Sequence, residues 1–160
     1  MTKEKVNIEL LCESLDALTF SILWFKESVE HCSSIVLKSE FSEPSEFEAL
    51  EALTARFART VDILTSKVYR SIDKVEMNNG KTLMEVIEFL EKIGVVTSFQ
   101  QTKRLKELRN DIVHEYQQQD LYDLFRSIYK SSAILLEDAE KAIKYANALV
   151  EKLRKLDNRI

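Results

Sequence analysis

Glycine and proline are scarce in this chain, which contains 2 Gly and 1 Pro among 160 residues. Average usage of roughly 7% and 5% would give about 11 and 8 of them. β-Sandwiches, glycine-looped nucleotide folds and collagen-like repeats need many such residues, so this shortage excludes them. The chain is 45% apolar and 31% charged, which suffices for a buried core. We therefore expect one domain over residues 1–160, built from a few long helices.

The sequence also lacks a disulfide framework, a long apolar run and an excess of basic residues. Its two cysteines, Cys12 and Cys32, are too few for a framework and favour a reducing compartment. Its apolar runs are a few residues long, far short of a membrane span, and alternating Lys and Glu near the start do not resemble a secretory signal. A net charge of −4 and a pI near 5.4 provide no global attraction to nucleic acids or anionic membranes. These features predict a soluble cytoplasmic protein that does not associate with membranes.

Apolar residues recur at helical spacing in three long segments. The first segment covers about residues 4–37, where a second row of Leu10, Ala17 and Trp24 widens the apolar stripe. The second carries apolar positions from Leu50 to Val75, and the third carries them from Leu121 to Leu156. Stripes of this kind predict helices buried along one face, and they are more typical of a core than of a cofactor site.

Polar and capping residues predict the ends of these helices. Residues 38–45 are polar, contain the proline and predict a loop. Three capping boxes are predicted, at Ser45–Glu48, Thr82–Glu85 and Ser98–Gln101. Gly80 is expected to adopt the left-handed conformation after the second helix, the third, short helix is expected to end at Gly94, and Asp120 is expected to cap the last helix. The predicted fold class is an all-α antiparallel four-helix bundle with an additional short helix.

Most signatures of catalysis are missing from the sequence. There is no glycine-rich phosphate loop, no nucleophile elbow, no Cys-x-x-Cys pair and no His-x-x-x-His pair. The two histidines lie far apart in the chain, without carboxylates at converging spacings, so we expect neither a metal site nor a cofactor.

A basic stretch in the fourth helix is the exception. Lys103, Arg104, Lys106 and Arg109 are accompanied there by one Glu, in a chain that is otherwise acidic. By charge alone this stretch is typical of a solvated helix face. Its first three cations become candidates for binding an RNA backbone once the residues that follow are considered.

Residues 109–116 read Arg-Asn-Asp-Ile-Val-His-Glu-Tyr. This segment resembles the Arg-x4-His-x-Tyr signature of the HEPN superfamily, and more narrowly that of the HepT toxins. The polar Asn110 after the Arg and the apolar Val113 before the His are residue types typical of the family at these positions. The order of a short helix, an Ile-Gly-Val connection and a motif helix is also typical of the family. The resemblance implies a HEPN-like bundle that acts as a metal-independent endoribonuclease toxin.

The resemblance also implies roles for individual residues. Arg109 and His114 would be the catalytic pair, with Asn110 and Asp111 in support. Tyr116 would accept AMP from a cognate nucleotidyltransferase antitoxin of the MntA type, and this bulky anion would block RNA. The partners implied are RNA, that nucleotidyltransferase and a second copy of the chain, because the family is dimeric with a composite site.

Elementary chemistry is consistent with this assignment. Imidazole titrates near neutrality, so His114 can take a proton from a ribose 2′-OH or give one to the leaving 5′-oxygen. Arg109 is permanently charged and suits a phosphate that gains negative charge. Residues five apart on a helix differ in direction by about 140°, so both side chains meet in one site only across a dimer, unless the helix ends before His114.

Two other functions stay open at this point. A non-catalytic helical subunit that binds a nucleotidyltransferase, and presents substrate or nucleotide to it, would share the fold, the dimer and the partner. A generic helical interaction protein would make the motif a coincidence. The complete set of Arg109, His114 and Tyr116 favours the enzyme.

Overall fold

The computed structural model describes residues 2–114 and 118–158, without the side chains of residues 118–120. Its helices are α1 (Lys3–Cys32), α2 (Pro44–Asp62, Ile63–Tyr69 and Arg70–Val75), α3 (Leu83–Lys92), α4 (Phe99–His114) and α5 (Gln118–Asp157). The described part of the chain contains no strand. The predicted all-helical class is therefore confirmed, with three helices much longer than the other two.

Contacts between side chains show that α1 runs antiparallel to α2. The hydroxyls of Ser21 and Thr60 share a hydrogen bond of 2.7 Å, and the Cys32 thiol donates to the Ala49 carbonyl at 3.4 Å. Later residues of α1 therefore meet earlier residues of α2. Small polar side chains at this seam let the two backbones approach closely, and their hydroxyls are satisfied within the helix pair.

Helix α5 also runs antiparallel to α1. Ion pairs join Lys5 to Asp157 at 3.1 Å and Lys26 to Glu140 at 2.6 Å. Helix α4 packs on both α2 and α5, and α1 also packs on both α2 and α5. The four helices therefore form a ring in the order α1, α2, α4, α5, with α2 and α5 at opposite corners in contact through the core.

The core consists of the apolar stripes that the sequence predicted. Each of the helices contributes buried apolar side chains, which include Leu11, Leu18, Phe25, Leu50, Phe57, Leu64, Ile72, Ile87, Leu90, Leu105, Phe125, Ile128 and Leu135. The rings of Phe25 and Phe57 pack edge to face with centroids 6.0 Å apart. Burial of this apolar surface is the main force that holds the helices together.

The second apolar row of α1 does not lie in the core, contrary to the prediction. Leu10 and Trp24 are 45% and 44% exposed. The α-helix also ends at Cys32 instead of near residue 37, and turns follow. Ser14, Ser21 and Ser28 are buried at the seam with α2, where the prediction placed the second apolar row. The apolar part of the buried face of α1 is therefore narrower than predicted.

The connection between α1 and α2 also differs from the predicted polar loop. Phe41 is 1% exposed and packs edge to face on Tyr122 of α5, with centroids 5.0 Å apart. Helix α2 begins at Pro44, so the predicted capping box at Ser45 is wrong. Proline suits the first helical position because its missing N–H has no partner there in any case.

Helix α2 contains a π-helical segment, Ile63–Tyr69, that the spacing of its apolar residues did not reveal. A π-helical turn makes i→i+5 hydrogen bonds and is wider than an α-helical turn. Apolar positions at successive intervals of four, such as Leu64, Val68 and Ile72, stay on the buried face in either geometry. The pattern therefore predicted the buried face correctly and the helix type incorrectly.

A buried carboxylate organises the end of α2. Asp73 is 2% exposed and accepts hydrogen bonds from Asn78 Nδ2 at 2.6 Å and from the Gly80 N–H at 2.9 Å. The left-handed residues are Met77 and Asn79, so the predicted left-handed Gly80 is wrong. Gly80 is required for another reason, since a Cβ there would lie 2.9 Å from Val86 Cγ2.

The remaining predicted ends are partly confirmed. Thr82 and Glu85 form the complete capping box, and α3 ends two residues before the predicted Gly94, which adopts φ 81°. The Ser98 hydroxyl accepts from the Gln101 N–H at 3.2 Å, which is half of the box predicted there. Helix α5 begins at Gln118, so Asp120 lies inside its first turn and not at the cap.

Candidate catalytic motif on helix α4

Arg109 lies on α4 and is held by a carboxylate of α2. Its Nε–H donates to Asp62 Oδ1 at 2.9 Å and its Nη2–H donates to Asp62 Oδ2 at 2.8 Å. This two-point contact fixes the plane of the guanidinium. The Asp62 carboxylate raises the pKa of Arg109 above its usual value by hydrogen bonding and by charge. Because the Arg109 side chain is 32% exposed, the rest of the guanidinium lies at the protein surface.

Lys106 reaches the same carboxylate from the preceding turn of α4. Its Nζ lies 3.6 Å from Asp62 Oδ1, and its side chain is 22% exposed. Two cations therefore share one acid, which leaves a net positive charge at this point. Because Lys106 is partly engaged by Asp62, it is a weaker candidate for RNA contact than the exposed cations of the same stretch.

His114 is the last residue of α4 and is exposed. The helix continues through His114, so the possibility that it ends earlier is excluded. Arg109 and His114 therefore point about 140° apart around the helix axis. Arg109 is turned towards α2, and His114 faces away from that contact.

The two predicted supporting residues are exposed neighbours of His114 on the helix surface. Asn110 precedes His114 by four residues and Asp111 precedes it by three. Side chains at these spacings lie side by side on a helix. The amide and the carboxylate are thus grouped with the imidazole, and neither is grouped with Arg109.

Lys103 and Arg104 extend the motif towards the start of α4. Both are exposed, and neither forms an ion pair with any residue that the structure describes. Lys103 lies seven residues before Asn110, which is two helical turns along nearly the same face. The two cations therefore face solvent, where an anion can approach.

Tyr116, the predicted AMP acceptor, and Glu115 before it lie outside the described residues.

Asp62 is the functional candidate that the sequence analysis missed. It occurs on α2 with no motif around it, and its role depends on a contact between residues 47 positions apart in the chain. One signal was available, since Asp62 is one of only two acids within a segment from Arg56 to Lys74 that contains five cations. That segment is a second basic stretch, so the stretch at residues 103–109 is not unique in the chain.

A buried polar pair lies in the core beneath α4. Asp138 is 3% exposed, and its Oδ2 has no hydrogen-bond partner among the described residues. Burial raises the pKa of Asp138 to about 6, and the neighbouring Glu137 contributes in the same direction. Burial and the Asp138 charge also raise the pKa of Tyr69 above its usual value. These groups are enclosed by the core and are separated from the solvent-facing motif.

Within the described ranges, no group of three or more His, Cys, Asp or Glu side chains is arranged to hold a metal ion. In the same ranges, no helix is both long enough and apolar enough to cross a membrane. Comparison with known proteins gave no match to a family model, to a curated protein or to a solved structure.

Proposed function

We propose that this protein is a HEPN-type, metal-independent endoribonuclease of a HepT-like toxin–antitoxin pair. The observation that supports this most is the placement of the motif. His114 is solvent-exposed at the end of an intact helix, and Arg109 is oriented at the surface by a two-point contact with Asp62. A general acid–base group and an oriented cation are what cleavage of a phosphodiester requires.

The chemistry proceeds by attack of the ribose 2′-oxygen on the adjacent phosphorus. His114 either takes the proton from the 2′-OH or gives a proton to the leaving 5′-oxygen as the P–O5′ bond breaks. The products are a 2′,3′-cyclic phosphate and a free 5′-hydroxyl. The need for a 2′-OH nucleophile restricts the substrate to RNA.

Arg109 stabilises the negative charge that builds up on the phosphoryl oxygens. Asp62 occupies two N–H donors on one edge of the guanidinium, and an arginine has five. The remaining donors are sufficient for a two-point contact with a phosphate. Asp62 is therefore a positioning residue, since it acts on the substrate through Arg109.

Two copies of the chain complete the site. In one copy Arg109 faces α2 while His114 points about 140° away, so one phosphodiester cannot easily contact both. A twofold axis beside α4 brings Arg109 of one copy to His114 of the other, with Asn110 and Asp111 beside the imidazole. Lys103 and Arg104 then contact the RNA backbone on either side of the scissile bond, and Lys106, which Asp62 partly engages, contributes less to this contact.

Regulation follows from Tyr116, two residues after His114. The antitoxin is a nucleotidyltransferase of the MntA type that attaches AMP to the phenolic oxygen. The added phosphate repels the RNA backbone and its bulk fills the cleft. Tyr116→Phe keeps the cleavage activity and loses the ability to gain AMP, as mass spectrometry after incubation with the nucleotidyltransferase and ATP would show.

One observation favours the second candidate, a non-catalytic subunit that binds a nucleotidyltransferase. The Asp62 carboxylate already neutralises much of the Arg109 charge within a single chain. An ion pair with this geometry also occurs as a purely structural contact between helices. The two candidates differ in whether the purified protein cleaves RNA.

The direct experiment is cleavage of single-stranded RNA by the purified protein in EDTA. Arg109→Ala and His114→Ala should each lower the rate by about 100-fold or more. His31→Ala is a matched control, since His31 is also exposed and also lies in the last turn of a helix. Arg154→Ala is the arginine control, at the far end of α5. Intact RNA after incubation with the wild-type protein, or full activity in His114→Ala, would refute the proposal.

A further inference from the structure

Helix α2 carries a row of cations that the motif on α4 does not include. Arg59, Lys67, Arg70 and Lys74 project from the second half of the helix, and none forms an ion pair or hydrogen bond through its side chain with a described residue. Residues three and four apart are neighbours on a helix surface. The row extends over roughly 20 Å at about 1.5 Å per residue.

This row continues into the motif through Asp62. Asp62 lies on α2 between Arg59 and Lys67, and it is the residue that binds Arg109 and Lys106 of α4. Arg59 lies three residues, or about one helical turn, before the Asp62 that binds Arg109. The two basic segments, 29 positions apart in sequence at their nearest residues, Lys74 and Lys103, meet at Asp62 and together form a basic surface across α2 and α4.

A surface groove accompanies the row on the side of α1. It has a volume of about 320 Å³, and α2 contributes Ser66, Lys67, Arg70, Ser71 and Lys74 to its wall. Two hydroxyls and three cations on one wall provide hydrogen-bond donors and positive charge together. This combination of groups binds phosphate oxygens.

The opposite wall of the groove is mixed in character. Helix α1 contributes the apolar Leu10 and Ala17 together with Glu13. Apolar side chains beside a row of cations suit a nucleic acid strand, whose bases need apolar contact while its phosphates need charge. A groove for a simple anion would not need the apolar wall, and Glu13 opposes small anions.

We infer that this surface, defined by Arg59, Lys67, Arg70 and Lys74, binds the single-stranded RNA that enters or leaves the site at Arg109. The inference rests on the proposed function and adds the path of the substrate to it. Arg56 is not part of this surface, because its guanidinium donates to the Trp24 carbonyl and to Ser28 Oγ.

The test measures binding separately from cleavage. All variants carry His114→Ala, and a fluorescein-labelled single-stranded RNA is titrated in EDTA with fluorescence anisotropy as the readout. The triple variant Lys67→Gln, Arg70→Gln, Lys74→Gln should weaken binding at least tenfold. The slope of log K against log salt concentration should decrease in magnitude by about 2, because three phosphate contacts are removed and each contributes about 0.7 to the slope.

A matched triple variant removes the same net charge elsewhere. It carries the substitutions Lys130→Gln, Lys144→Gln and Lys152→Gln, which lie at exposed positions on α5, at the opposite corner of the bundle from α2. This variant should bind RNA within about twofold of the parent. Glu13→Gln should strengthen binding, which is a change of opposite sign that loss of folding cannot produce.

Equal weakening by the two triple variants would overturn the inference, as would unchanged affinity in the α2 variant. Displacement of the RNA by poly-glutamate as effectively as by unlabelled RNA would also overturn it, in favour of an acidic protein partner. If the wild-type protein cleaves RNA while the α2 variant binds normally, this inference fails and the proposed function stands. If the α2 variant loses RNA binding while the wild-type protein leaves RNA intact, the proposed function fails instead.

Discussion

Asp62 and Arg109 join α2 to α4 through two hydrogen bonds, of 2.9 Å to one carboxylate oxygen and 2.8 Å to the other. The side chains of Asp62 and Arg109 are each about one-third exposed. Its effect on stability is therefore small, below about 1 kcal/mol, as for most ion pairs that water can reach. Its effect on the orientation of Arg109 is larger, because a forked contact fixes the guanidinium plane.

Asp62→Ala should consequently separate activity from stability. We expect kcat for RNA cleavage to fall about tenfold, because a displaced catalytic cation stabilises the transition state poorly. KM should stay the same or fall, since the change also removes a negative charge beside the RNA. Asp16→Asn removes an exposed carboxylate of α1 and is the control. An unchanged kcat in Asp62→Ala would show that the contact is structural alone.

Mixing two inactive variants tests whether the site is shared between copies. Arg109→Ala retains His114, and His114→Ala retains Arg109, so a mixed dimer contains one complete site if the site is composite. After subunit exchange we expect roughly a quarter of the wild-type activity, because half of the dimers are mixed and each has one of two sites. Activity that stays at the level of the separate variants would indicate a site within one chain.

The capping residues give a stability prediction with an internal control. The Thr82 hydroxyl accepts from the Glu85 N–H at 3.2 Å, and the Glu85 carboxylate accepts from the Thr82 N–H at 3.3 Å. Thr82→Ala should lower the free energy of unfolding by about 1 kcal/mol. Ser45→Ala should leave it unchanged within a few tenths, because Ser45 follows Pro44 inside the first turn of α2. Urea denaturation of both variants measures the difference.

Asp138 gives a prediction for pH dependence. Its pKa is raised by burial from 3.8 to about 6 in the folded protein. A raised pKa means that the folded state binds the proton more tightly than the unfolded state. The contribution of this group to stability is then fully present below about pH 4 and is lost as pH rises through about 6.

Asp138→Asn should therefore stabilise the protein at pH 8 and have less effect at pH 4.5. A shift of about two pKa units corresponds to roughly 3 kcal/mol between these limits. Urea unfolding of the wild type and of this variant, from pH 4.5 to 8, measures the trend. Asp16→Asn, at an exposed position, should change stability little at any pH. A difference between Asp138→Asn and the wild type that does not change with pH would contradict the prediction.

The sequence located four of the five helices closely because their signals are local. Thr82 with Glu85 and Gly94 predicted the ends of α3 to within two residues, and the position of Ser98 predicted the start of α4. These features depend on hydrogen bonds within a few residues, so a short window of sequence contains them. At Ser45 the capping pattern competed with Pro44, and the proline determined the start of the helix.

The candidate site was predicted in part. The motif placed Arg109 and His114 on one helix, and the structure puts both on α4 with His114 at its last residue. Asp62 and the cations of α2 were missed, because no periodicity connects residue 62 to residue 109. The exposure of Leu10 and Trp24 was missed for a related reason. The spacing of apolar residues along one helix does not show which other helices pack against them.

The sequence by itself determined the helical class, the buried stripes and the chemical groups at residues 103–116. These follow from residue spacing and from side-chain chemistry, which are properties of short segments. The tertiary structure decided that Asp62 meets Arg109, that Asp73 and Asp138 are buried, and that the cations of α2 and α4 share one surface. Each of these depends on which distant segments pack together, and that is settled by the burial of apolar area over the whole chain.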